Sequence, residues 1–161
     1  MPVIKADTTD LENSLMKAAG QIALRLKSMV VGFSYEFILV AIDKTPLGDS
    51  DQYADLYKAR QIRYGLLPVE GFAQGSWQID YDSNILPQEV YSGSEAAFGA
   101  KTNLMNYNLG QKVYIANKGP YIVDLENGYS GQAEAGITKP TIDHVMSSYK
   151  IDLKRYYSNP L

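Results

Sequence analysis

Few side chains in this sequence are equipped for chemistry, and their spacing narrows the field further. The one histidine, His144, stands beside Val145 at helical spacing with Asp143 pointing elsewhere, which reads as a surface histidine rather than a base or a ligand. Ser130 lies in Gly128-Tyr129-Ser130-Gly131-Gln132. A nucleophile elbow needs a Gly two residues after the Ser and a strand before it, and neither is present. Asp49, Asp51 and Asp55 suggest a calcium loop, but its sixth position is Ala54 rather than Gly and its twelfth is Arg60 rather than Glu. No Gly-rich phosphate loop ends in Lys-Ser/Thr. With 0 Cys, thiolate catalysis, disulfides, Cys-ligated zinc and iron–sulfur clusters are excluded. No metal and no cofactor is expected. What remains is a basic run, Lys58, Arg60 and Arg63, interleaved with Tyr53, Tyr57 and Tyr64. It suits contact with an acidic partner or a DNA phosphate, or a plain solvated face.

The elements that must position these residues follow from periodicity. Asp7-Thr8-Thr9-Asp10 offers N-caps, with Glu12 three residues after Thr9 as in a capping box. Leu11, Leu15, Ala18, Ile22, Leu26, Met29, Phe33, Phe37 and Val40 then recur every three or four residues up to Thr45-Pro46. That spacing predicts one helix from about Asp10 to Lys44, roughly 50 Å long and too long for one domain face to cover, with a break at Gly32 as the competing reading. From Thr45 to Gly75 the period is lost, apart from a possible short helix over Asp51–Tyr64. Ser76–Asp82 alternates as a half-buried strand. Ser94 caps a helix over Glu95–Met105, closed by a turn at Asn108-Leu109-Gly110. Lys112–Ala116 is a strand, and Asn117-Lys118-Gly119 a turn. Pro120 opens a short helix over Tyr121–Asn127 that stops at Gly128. A Gly-rich loop leads to a helix from Lys139 to about Tyr149, and the tail is open between helix and strand. The expected fold is α+β: a small, mostly antiparallel sheet packed by a long N-terminal helix and a C-terminal helix, in one domain over 1–161 with an inserted arm at about 46–74.

Composition bounds the function. The chain has 161 residues, 45% hydrophobic, with a formal net charge of −3. That supports one sizeable core and gives no electrostatic basis for general adhesion to nucleic acid or an anionic membrane. No run approaches the ~20 apolar residues of a membrane span, and the N-terminus lacks the apolar core of a signal peptide. Tyr is heavily used, 13 against 4 Phe and 1 Trp, and its ring and hydroxyl suit surfaces half buried against a partner.

The most informative block runs from Val113 to Gly136. Its Tyr114, Asn117, Pro120, Tyr121, Leu125, Glu126, Gly128, Ser130, Gln132, Ala133 and Gly136 resemble, in order, the pattern of the phage neck and tail-completion family of long-tailed bacteriophages: Tyr-x-x-Asn, Pro-Tyr, Leu-Glu-x-Gly, then Ser-x-Gln-Ala-x-x-Gly before a C-terminal helix. Upstream, Thr45-Pro46 and Gly75-Ser76-Trp77 match two halves of a further pattern that the insertion separates, and the family's Thr-Gly is missing. The resemblance implies a non-enzymatic virion protein, made in the host cytoplasm. It would form a homo-oligomeric ring at the head–tail junction, touching the adjacent connector or adaptor and the tail-tube or terminator proteins. DNA passes through without sequence-specific binding. Two alternatives stand beside it: a tail-terminator ring capping the tube, and a small oligomeric enzyme or ligand-binding protein with the Tyr-rich insertion as its pocket. In this setting the Lys58–Tyr64 run is a subunit or partner contact. Glu126 is structural. Placed at the C-terminal end of a short helix, where its charge is disfavoured, it requires a compensating donor, expected from the Gly128–Gln132 loop.

Overall fold

A computed structural model describes residues 8–47, 71–87, 92–119, 121–128 and 133–158, with side chains through residue 149. Helix α1 spans Thr9–Lys44, α2 Phe72–Gly75, strand β1 Trp77–Asp80, α3 Gly93–Met105, β2 Tyr114–Asn117, α4 Ile122–Glu126 and α5 Thr138–Ser158. The architecture is the expected α+β one. The sheet among these residues has two antiparallel strands, with Trp77 opposite Asn117 and Ile79 opposite Ile115.

A two-stranded ribbon is marginal alone, so the helices supply its stability. The C-terminal half of α1 contributes Phe37, Ile38 and Ala41 to the core, and Trp77 and Ile79 come from β1. Ala100 and Leu104 of α3, Leu125 of α4, Ala133 and Ile137 from the segment leading into α5, and Val145 of α5 complete it. Phe37 meets the Trp77 ring edge-on, with centroids 6.4 Å apart. Asn103 of α3 donates its amide to the Ile79 carbonyl at 2.8 Å, tying helix to strand. Leu104, at the end of α3, is fully buried, so α3 is anchored on its core-facing side while Phe98 and Met105 stay exposed.

Helix α1 is continuous through Gly32. The glycine marks a close approach instead of a break: a Cβ there would lie 2.8 Å from the Tyr149 hydroxyl of α5. Beside it the Phe33 and Tyr149 rings meet edge-on, 5.2 Å between centroids. Val145 shares the core cluster with Phe37 and Ile38, and Tyr149, one turn later, reaches Gly32 and Phe33, one turn earlier in α1, so α5 runs antiparallel to α1.

Several local expectations shift. The capping box at Thr9 does not form. Thr8 is the N-cap, and its hydroxyl donates to the Glu12 carboxylate at 3.0 Å, because the helix begins one residue earlier than the Thr-x-x-Glu spacing assumes. Ser92, not Ser94, precedes α3, and the two hydroxyls share a 2.6 Å bond. The strands are shorter than the alternation suggests, each 4 residues, since each lasts only as long as its partner. The tail resolves as helix, α5 reaching Ser158.

The two flanks of the inserted segment are joined to each other. The Gly71 N–H donates to the Leu47 carbonyl at 2.9 Å, so the two residues that flank 48–70 meet. The expected contact residues Tyr53, Tyr57, Lys58, Arg60, Arg63 and Tyr64, the acidic trio Asp49, Asp51 and Asp55, and the short helix over Asp51–Tyr64 lie outside the described residues.

Candidate functional site

The residues of the sequence block meet the core at two joints. The first is where α4 hands over to α5. Ile137 occupies the N-cap position of α5: its carbonyl accepts from the Thr141 N–H at 3.1 Å and from the Thr141 hydroxyl at 2.8 Å. Its apolar side chain is fully buried and cannot accept the free N–H groups of the first turn, which caps ordinarily satisfy. Glu126 does it from the end of α4. Its carboxylate accepts from the Thr138 N–H at 3.0 and 3.2 Å, from the Ile137 N–H at 3.3 Å, and from the Thr138 hydroxyl. The charge sits at the positive end of α5, which offsets its unfavourable place at the C-terminus of α4. Among the described residues the compensating donors are therefore Ile137 and Thr138, because the chain turns back and brings the start of the next helix to the carboxylate; of the expected Gly128–Gln132 loop, residues 129–132 lie outside the described residues.

Two glycines make that turn possible. Gly128 and Gly136 have φ of 72° and 73°. A Cβ on Gly136 would lie 2.8 Å from the Glu126 carbonyl oxygen, and one on Gly128 2.5 Å from that of Glu134. Both positions require the left-handed backbone and leave no room for a side chain.

The second joint brings together residues far apart in sequence. Thr45, fully buried at the end of α1, donates its hydroxyl to the Ala41 carbonyl at 2.6 Å and accepts from the Trp77 indole N–H at 2.8 Å. Its own carbonyl accepts from the Gln74 amide at 2.8 Å. Asn117, at the end of β2, donates to the Ala73 carbonyl at 2.7 Å and accepts from the Gly119 N–H at 2.8 Å, forming the tight strand-to-helix turn expected of Asn-x-Gly. Ser76 donates to the Phe72 carbonyl at 2.7 Å. Phe72 meets Tyr121 edge-on at 6.4 Å. The separated Thr-Pro and Ser-Trp segments are thus neighbours in space.

Of the remaining block residues, Leu125 and Tyr121 are buried and Tyr114 is half-buried on β2. Pro120, Ser130 and Gln132 lie outside the described residues. His144 is exposed on α5. Among the described residues no group of three His, Cys, Asp or Glu could hold a metal ion, and every buried side-chain N or O has a hydrogen-bond partner. A groove of about 370 Å³ runs between β1 and α3, lined by Trp77–Asp80 and by α3 residues from Glu95 to Asn103. The amides of Gln78 and Asn103 there already bind backbone carbonyls, leaving Asp80 and Glu95 as its charged groups. Tyr81 donates its hydroxyl to the Asn103 carbonyl at 2.6 Å. Burial first, then the neighbouring Tyr107 and Asp80, push its phenol above the ordinary value of 10.0.

Sequence reasoning did not identify Thr138 as a partner of Glu126, nor Asn103 and Tyr107 as fixtures of the β1–α3 contact. Thr138 carried a local signal, since Thr-x-Pro at 138–140 suits a first helical turn. Asn103 carried none. Comparison with known protein families, with curated proteins and with solved structures finds no match to this chain, so the likeness to the phage neck and tail-completion pattern rests on the residues quoted above.

Proposed function

We infer that the chain is a structural subunit of a bacteriophage virion, forming a ring at the head–tail junction that joins connector to tail tube and leaves a channel for DNA. The observation that carries this reading is where the pattern residues sit. Thr45, Trp77, Asn117, Tyr121, Glu126, Gly128 and Gly136 lie at joints between elements and are spent on holding them. Residues used in this way specify an architecture, not a reaction. Glu126, the block's fixed carboxylate, has its oxygens engaged by Ile137 and Thr138, which suits a clamp better than a general base. The charge of −3 suits a channel through which DNA moves without sticking. The Lys58–Tyr64 run supplies the contact to a neighbouring ring.

Cryo-EM of particles from the phage that encodes the chain tests this directly. The expected result is several equivalent copies around the tail axis between connector and tube. Particles that lack the chain, or carry a single copy, overturn the reading. So does a hydrolytic activity of the purified protein that Glu126→Gln abolishes while its melting temperature is unchanged.

A further inference from the structure

Asn127 and Gly128 form the one Asn-Gly pair in the sequence. Such a pair is open to a reaction within the chain. The Gly128 nitrogen attacks the Asn127 Cγ, a Cγ–N bond forms, the bond from Cγ to the side-chain NH2 breaks, and ammonia leaves with the proton that the Gly128 nitrogen gives up. Glycine favours this because it sets no Cβ in the path of the closing ring. Water then opens the succinimide. Addition at Cγ yields aspartate at 127, and addition at the main-chain carbonyl yields isoaspartate, in which the chain runs on through the side-chain carbon.

The pair is accessible to water and yet held away from the reacting geometry. Asn127 is exposed at the C-cap of α4. Its side-chain amide donates to the Val123 carbonyl at 2.8 Å, its N–H donates to the same carbonyl at 3.1 Å, and the Gly128 N–H donates to the Leu125 carbonyl at 3.2 Å. Ring closure needs Cβ and the Gly128 nitrogen on the same side of the Asn127 Cα–C bond, and at the observed ψ of 5° they stand about a third of a turn apart. The chain on both sides of that bond is tied to the approach to α5. The backbone at Gly128 is packed so closely on Glu134 that a Cβ would lie 2.5 Å from its carbonyl oxygen. Glu126, one residue before the pair, is bound to Ile137 and Thr138. We propose that Asn127-Gly128 is a site of spontaneous deamidation gated by the α4–α5 joint, the amide reacting in the fraction of molecules in which the Glu126 clamp has opened.

The product works against the joint. Either outcome replaces a neutral amide by a carboxylate beside Glu126 at the C-terminal end of α4, where negative charge is disfavoured. Isoaspartate also lengthens the main chain by one methylene directly before the left-handed turn at Gly128, which shifts the return of the chain to Glu134 and Thr138. Modification thus favours further opening. The inference does not depend on the ring reading.

Incubation of the full chain at mildly alkaline pH, below its melting temperature, tests this. Peptide mass spectrometry locates each exchange of NH for O, and electron-transfer fragmentation separates isoaspartate from aspartate. The chain unfolded in urea should modify first at 127. The folded chain should modify there at least about tenfold more slowly, because the hydrogen bonds that hold Asn127 and Gly128 must break first. Glu126→Ala should raise the native rate at 127 several-fold under conditions where circular dichroism shows it folded, and Thr138→Val takes its place if it does not fold. Gly110→Ala alters a turn away from the joint and should leave the rate at 127 unchanged, which separates opening of the joint from global unfolding. Equal rates in the folded and unfolded chain overturn the proposal. So does a rate that the clamp variants leave unchanged or that Gly110→Ala raises as much as they do, and so does first modification at another Asn in urea.

Discussion

Removing the carboxylate of Glu126 tests the handover from α4 to α5 most sharply. Glu126→Ala leaves the Thr138 and Ile137 N–H groups and the Thr138 hydroxyl without their acceptor, at a half-buried position. A hydrogen bond to a charged group contributes about 1.5–3 kcal/mol, and a charge near a helix end about 0.3–1 kcal/mol. Water can reach part of the joint and recover some of this, so the expected cost is about 2–3 kcal/mol. For a chain of this length that corresponds to a fall in Tm of about 5–10 °C. Glu126→Gln keeps an oxygen that can accept one N–H, but it loses the charge and presents an NH2 to a site made of donors, so about 1 kcal/mol is expected. Thermal melts followed by circular dichroism give both values. A cycle with Thr138→Val isolates the pair, with a coupling of about 1 kcal/mol expected between Glu126→Ala and Thr138→Val. The reasoning fails if Glu126→Ala melts within error of the parent, or if the two substitutions are strictly additive.

Gly136→Ala should destabilise by about 2 kcal/mol or more, because a left-handed backbone coincides with a Cβ position 2.8 Å from the Glu126 carbonyl oxygen. Gly110→Ala, also at positive φ but facing open space, should cost only about 1 kcal/mol, and equal losses in urea unfolding would refute the steric argument. Thr45→Val removes the acceptor of the buried Trp77 indole N–H at nearly constant volume and should cost about 1–3 kcal/mol, with Thr45→Ser markedly milder. The raised phenol of Tyr81 means that its contribution to stability is complete below pH about 10 and is lost as the pH rises through the folded-state value, when the hydroxyl can no longer donate to Asn103. Tyr81→Phe should flatten that alkaline limb, and an unchanged slope would exclude the group as its source. Replacing residues 48–70 by a short Gly-Ser linker should leave the circular dichroism spectrum folded, because Leu47 and Gly71 already meet at 2.9 Å; global unfolding would show that the segment supports the core.

Much of the local structure was legible because its causes are local. The helix over Thr9–Lys44 follows from a period repeated for ten turns and a stop at Thr45-Pro46, and the turn after β2 follows from an Asn side chain that can bond the backbone two residues on. Even the need of Glu126 for a donor could be read from a carboxylate at the wrong end of a helix. Its partner could not. The donors stand eleven and twelve residues further along, and which of several amides and hydroxyls reaches the carboxylate depends on the path that Gly128 and Gly136 allow.

The same division holds elsewhere in the chain. Gly32 reads as a weak point in sequence, because low helix propensity is a property of the residue; that α5 uses it as a place to set Tyr149 is a property of two helices in contact. Thr45 and Trp77 each matched a pattern in isolation, and only the folded chain joins them across 32 positions by one buried hydrogen bond. The apolar period of α1 is nearly uniform from Leu11 to Phe37, yet one half is core and the other faces water. Periodicity determines that a helix has an apolar side, because side-chain direction is set by backbone geometry. Whether anything covers that side depends on where the rest of the chain ends, and here the sheet, α3 and the described side chains of α5 meet only its C-terminal half.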